Sequence, residues 1–74
     1  MMRGQEVRAC LRSALAETTR RLGEAGVASP SADARALIAH AAETQEPLVM
    51  LDELPEGFSQ RLEHLTARRA RREP

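Results

Sequence analysis

Few groups in this chain could move a proton, hold a metal or attack a carbon. Cys10 is the sole thiol, and His40 and His64 are the two imidazoles. A nucleophilic cysteine needs a base beside it, and a metal needs several donors converging at short spacing. The sequence has no second cysteine and no His-x-x-x-His, so neither arrangement is encoded. Asp52 and Glu53 are adjacent carboxylates, but they fall in an acidic stretch suited to solvent rather than to acid–base catalysis. Neither G-x-G-x-x-G nor a P-loop is present, and every basic residue is arginine, which excludes lysine-dependent chemistry. The sequence therefore predicts no catalytic, cofactor-binding or metal-binding residue in this chain, and directs attention to recognition.

The residues best suited to recognition are Arg68, Arg69, Arg71 and Arg72. As a plain helix end, they would satisfy last-turn carbonyls and the negative end of the helix dipole. As a contact, they would meet an acidic protein surface, RNA or a following domain. Formal net charge is +0 and no aromatic residue interleaves with the arginines, so base stacking is poorly supported and nucleic acid is the weaker partner class. Charge is nonetheless uneven. Residues 43–56 carry Glu43, Glu46, Asp52, Glu53 and Glu56 with no basic residue, whereas residues 61–72 carry five arginines against Glu63 alone.

The elements that must position these groups read as helices. Alanine, leucine, glutamate and arginine dominate, β-branched residues are scarce, and Phe58 is the sole aromatic. From Gln5 to Ala25, Val7, Leu11, Leu15 and Leu22, with the small Ala14, Thr18 and Ala25, recur at three and four to make one stripe. Gly26 follows where a left-handed cap would sit, and Val27 would fold back on the helix end. Ser29 stands at an N-cap position, Pro30 at the first helical position and Asp33 in the first turn, near free backbone N–H groups. These three residues predict the start of a second helix over 30–43, whose buried face is Ala34, Leu37, Ile38 and Ala41.

Pro47 opens a short apolar run, Leu48 to Leu51, predicted to make one or two buried helical turns. Leu54-Pro55 opens the last helix, predicted to reach Arg72 with Phe58, Leu62 and Leu65 as its stripe. Arg69 continues that stripe, an odd place for a free cation, and suggests that the helix leads towards another part of a larger chain. The expected fold is all-α, a small orthogonal or irregular bundle of four to five helices forming one domain over residues 1–74. At this length, apolar burial and chain entropy nearly cancel, so caps and helix packing decide stability. One cysteine, no signal-peptide core and no apolar run of membrane length lead to the expectation of a cytoplasmic monomer.

Three segments in order carry a resemblance: L-G-E-A-G-V-A-S-P-S-A-D-A-R-A-L-I-A-H, then L-D-E-L-P, then A-R-R-A-R-R-E-P. The series resembles the N-terminal domain of the bacterial peptide-chain release factor glutamine methyltransferases, the HemK/PrmC family. Ser29, Pro30, Asp33, Ala34, Leu37, His40, Arg69, Glu73 and Pro74 match the family pattern position by position. The chain departs from it at A-A-E-T-Q-E-P-L-V-M, which stands where V-L-G followed by a basic residue is more common. The resemblance implies a helical substrate-recognition domain ahead of a Rossmann-like domain that binds S-adenosylmethionine and carries Asn-Pro-Pro-Tyr. That larger domain methylates the glutamine of the Gly-Gly-Gln motif in class 1 release factors. The sequence stops where the family's interdomain linker begins and contains neither motif of the catalytic domain. By resemblance, then, this chain docks the release factor, partners its own C-terminal catalytic domain, and is not itself an enzyme. The alternative is a free-standing helical module binding nucleic acid or an acidic protein through its arginine-rich end.

Overall fold

The computed structural model describes residues 4–71, apart from the side chain of Val49. Three α-helices and one short 3-10 turn make up its regular structure, in the order α1 Gly4–Glu24, α2 Pro30–Ala41, the 3-10 turn Leu48–Met50, and α3 Phe58–Ala70. The all-α expectation holds, and among the described residues there is no strand. The expected four to five helices are corrected to three. The run between Pro47 and Pro55 is too short and too punctuated for a helix of its own. Extended backbone at Pro47 (ψ 140) and Leu51 (ψ 130) brackets it, leaving only the bonds Met50 N to Pro47 O and Leu51 N to Leu48 O. Nor is the run fully buried: Leu48 and Leu51 lie half-buried against the core, while Met50 is 62% exposed.

α1 ends as its sequence predicts. Gly26 takes φ 84, Val27 N reaches back to Leu22 O at 3.0 Å and Gly26 N to Gly23 O at 3.1 Å, the paired bonds of a Schellman cap. α2 closes with the same hydrogen bonds but a different residue. Thr44 N bonds Ala39 O, Glu43 N bonds His40 O, and Glu43 itself takes φ 57. A side chain in this left-handed conformation costs about 1–2 kcal/mol. α2 therefore stops at Ala41, before the expected end at residue 43.

The start of α3 also differs from expectation. Pro55, expected at or near its first position, lies in the preceding turn, where Phe58 N bonds Pro55 O at 3.2 Å. Gly57 takes φ 81, a conformation that suits the third residue of such a turn, and helix begins only at Phe58. The far end was expected at Arg72, which lies outside the described residues; α3 as described ends at Ala70.

Val7, Leu11, Ile38, Ala41, Ala42, Phe58 and Leu62 form the central cluster, one contribution from each helix face. Leu22 and Ala34 are also fully buried. Among the described residues, Thr18 and Thr66 are the buried polar ones, and Thr66 Oγ1 donates to Leu62 O at 2.7 Å, so its hydroxyl is satisfied within the helix. α1 and α2 share the largest interface, where the small Ala34 and Ala41 face inward. α2 and α3 run in opposite senses, since the end of α3 meets the start of α2 through Arg69 and Asp33, and the start of α3 meets the end of α2 through Arg61 and Ala41.

Candidate interaction surface

Two arginine clasps fix the geometry of the bundle. At one end, Arg69 Nε and Nη2 both donate to Asp33 Oδ2, at 3.0 and 2.7 Å, with both side chains half-buried. This explains why Arg69 continues an apolar stripe: its head meets a carboxylate on α2. At the other end, Arg61 Nε and Nη2 donate to Ala41 O at 3.1 and 3.0 Å, while Nη1 donates to Glu56 O at 3.0 Å. One guanidinium thus caps the C-terminus of α2 and holds the turn before α3. Its fork geometry suits two carbonyls at once.

The cap residues around α2 divide. Pro30 opens the helix, where its missing N–H costs nothing. Ser29 occupies the N-cap position but makes no side-chain cap hydrogen bond. Its ψ of 70 lies outside the extended region from which a capping hydroxyl reaches the next amides. Asp33 sits in the first turn, and its carboxylate is engaged by Arg69.

Of the terminal arginines, then, Arg69 is committed inside the bundle, Arg68 is exposed on α3, Arg71 follows the helix as its C-cap residue, and Arg72 lies outside the described residues. On the surface, Arg20 bridges Glu17 and Glu24 along α1, and Arg21 Nη1 donates to Glu63 Oε2 at 2.7 Å across to α3. The Arg20 hydrogen bond holds the Glu17 carboxyl below its ordinary range, against opposing desolvation, and the two glutamates push Arg20 further up. Exposed pairs of this kind contribute little to stability.

A groove opens on the N-terminal half of α1, with Leu11, Leu15 and Leu48 as its apolar lining and Arg8 and Arg12 at its rim. Its volume is about 240 Å³, below the roughly 300–1,000 Å³ of small-molecule sites, so it fits one anchoring side chain better than a cofactor. Its sequence signal is the interleaving of Arg8, Leu11, Arg12 and Leu15 at spacings of three and four. That places two leucines and two arginines on adjoining rows of one helix. The stripe alone did not distinguish Leu15, half-buried in this groove, from the core leucines.

A separate depression gathers His40, Gln60, Arg61, His64 and Leu65 between α2 and α3. The two histidines, distant in sequence, therefore share one dent, though both are exposed. Cys10 lines another, beside Leu54, Pro55 and Phe58. Among the described residues no group of three or more His, Cys, Asp or Glu side chains could hold a metal ion.

The family model of the PrmC N-terminal domain matches residues 13–74. This chain belongs to the PrmC N-terminal domain family. No curated protein and no solved structure matches it. In this chain, the Pro30/Asp33 spacing gains a tertiary reason. Pro30 sets the first turn of α2, and that turn presents Asp33 to Arg69, the arginine near the end of α3. No helix of the described residues is long and apolar enough to cross a membrane. Arg8, Leu11 and Arg12 precede the matched residues, whereas Leu15 and Leu48 of the same groove fall within them.

Proposed function

We propose that this chain is the release-factor docking domain of an S-adenosylmethionine-dependent protein glutamine methyltransferase. In this reading the bundle holds a class 1 release factor so that its Gly-Gly-Gln glutamine reaches a separate catalytic domain in the cytoplasm. The cofactor and the methyl-transfer residues belong to that second domain, and the bundle contributes binding energy and orientation. The observation that carries the reading is the family match over residues 13–74. The clasped architecture supports it, because a bundle pinned at both ends of α2 presents its surface to a partner without reorganising.

The nucleic-acid reading of the arginine-rich end loses support from the same clasps. Arg61 and Arg69 engage their guanidiniums with Ala41 O, Glu56 O and Asp33 of the fold itself.

The test compares the parent enzyme with a form lacking these residues. Loss of the bundle should raise the KM for the release factor and leave cofactor affinity little changed. An unaltered KM for the factor would refute the proposal.

A further inference from the structure

The groove on α1 has three properties that together describe what fits it. Its lining is aliphatic, from Leu11, Leu15 and Leu48. Its rim is cationic, from the exposed Arg8 and Arg12, which make no ion pair among the described residues. The other arginines facing an acid or a carbonyl are bound within the fold: Arg20 and Arg21 by glutamates, Arg61 by carbonyls, Arg69 by Asp33. Two cations left uncompensated beside an apolar slot are complementary to a segment carrying one large aliphatic or aromatic side chain flanked by carboxylates.

Position argues for an occupant from another protein. The groove lies on the N-terminal half of α1, near the C-terminal end of α2. Arg69 and Asp33 join the described end of α3 to the start of α2, at the other end of α2 from the groove. A second copy is disfavoured by charge, since a two-fold contact through this face would bring four arginines together.

We infer that the Arg8/Arg12-rimmed groove is the surface on which this domain seats an acidic segment of its protein partner through one buried apolar anchor. The inference rests on the release-factor docking reading and names the surface and chemistry that the reading leaves open.

The probe is a purified class 1 release factor, titrated against the 74-residue chain by fluorescence anisotropy at low and raised salt. The double reversal Arg8→Glu/Arg12→Glu changes two exposed side chains, and circular dichroism checks that it keeps its helices. It should weaken binding about tenfold at low salt, with the gap narrowing as salt rises. The control Arg35→Glu/Arg68→Glu reverses two exposed charges on α2 and α3 and should bind like the unaltered chain. In the unaltered chain, the methyl resonances of Leu11, Leu15 and Leu48 should shift on titration.

Equal binding by the first reversal, with those methyls unmoved, overturns the groove and leaves the docking reading standing. Loss of binding by the control alone also overturns it, in favour of another face. An unaltered chain that does not bind the factor overturns both. Self-association abolished by the Arg8/Arg12 reversal would assign the groove to a second copy and overturn the inference as well.

Discussion

Replacing Arg61 by methionine removes the clasp at the α2–α3 corner while keeping most of the apolar stem. The magnitude follows from the contacts. Two N–H groups converge on Ala41 O at 3.1 and 3.0 Å, so they count as one strong interaction with a single acceptor. Ala41 is fully buried, and its carbonyl belongs to the last turn of α2, where no further helix supplies donors. A hydrogen bond from a charged group contributes about 1.5–3 kcal/mol. The third bond, to Glu56 O, lies on the exposed side, where water can take its place, and adds a few tenths of a kcal/mol. The expected loss is about 2–3 kcal/mol, a large share of the stability of so small a domain. For 60–100 residues this lowers Tm by roughly 10–20 °C, read from thermal melts by far-ultraviolet circular dichroism. Arg61→Lys separates fork from charge. A single ammonium can satisfy Ala41 O or Glu56 O but cannot span both, so it should recover less than half of the loss. A loss under about 0.5 kcal/mol for Arg61→Met, or a lysine variant as stable as the parent, would refute the clasp.

Three further outcomes are expected. Asp33→Asn and Arg69→Ala should each cost about 1 kcal/mol, with a coupling energy of similar size in the double-mutant cycle by urea unfolding, since both partners are half-buried; additive losses would show that the pair does not interact. Glu43→Gly should raise stability by about 0.5–1 kcal/mol by removing the side-chain penalty at φ 57, whereas Gly26→Ala, at φ 84, should lower it by about 1 kcal/mol. The Glu17 carboxyl, held below its ordinary range mainly by the Arg20 hydrogen bond, should titrate higher in Arg20→Ala when followed by NMR. Because its folded value is the lower one, its small contribution is present above pH 4.5 and fades as pH falls through the lowered value; Glu17→Gln should therefore flatten the acid limb of the stability curve slightly.

Much of the scaffold was legible locally. The stripe of Val7, Leu11 and Leu22 placed α1, Gly26 ended it and Pro30 opened α2, because each acts within a turn or two of its own backbone. The stretch 42–57 was harder. Its helical turn shrank to Leu48–Met50, and α3 waited for Phe58, because Gly57 at φ 81 completes a turn that Pro55 alone left open. Arg69 stood out in the sequence as a cation on an apolar row, and that oddity is resolved by Asp33 on α2. Arg61 gave no such sign, since its acceptors are backbone carbonyls that look alike in any sequence. Half of the groove could be read from Arg8, Leu11, Arg12 and Leu15 on one helix; its far wall, Leu48, could not.

By itself, then, the sequence determined the helical class, the breaks between helices and the absence of encoded catalytic motifs, all of which depend on residue type and short-range backbone preference. Tertiary structure decided which arginines became clasps and which stayed available, and where an apolar slot remained uncovered. A guanidinium on a long flexible stem can satisfy many acceptors, and the choice is made only when α2 and α3 pack and bring an acceptor 20 or 36 residues away in sequence within hydrogen-bond reach.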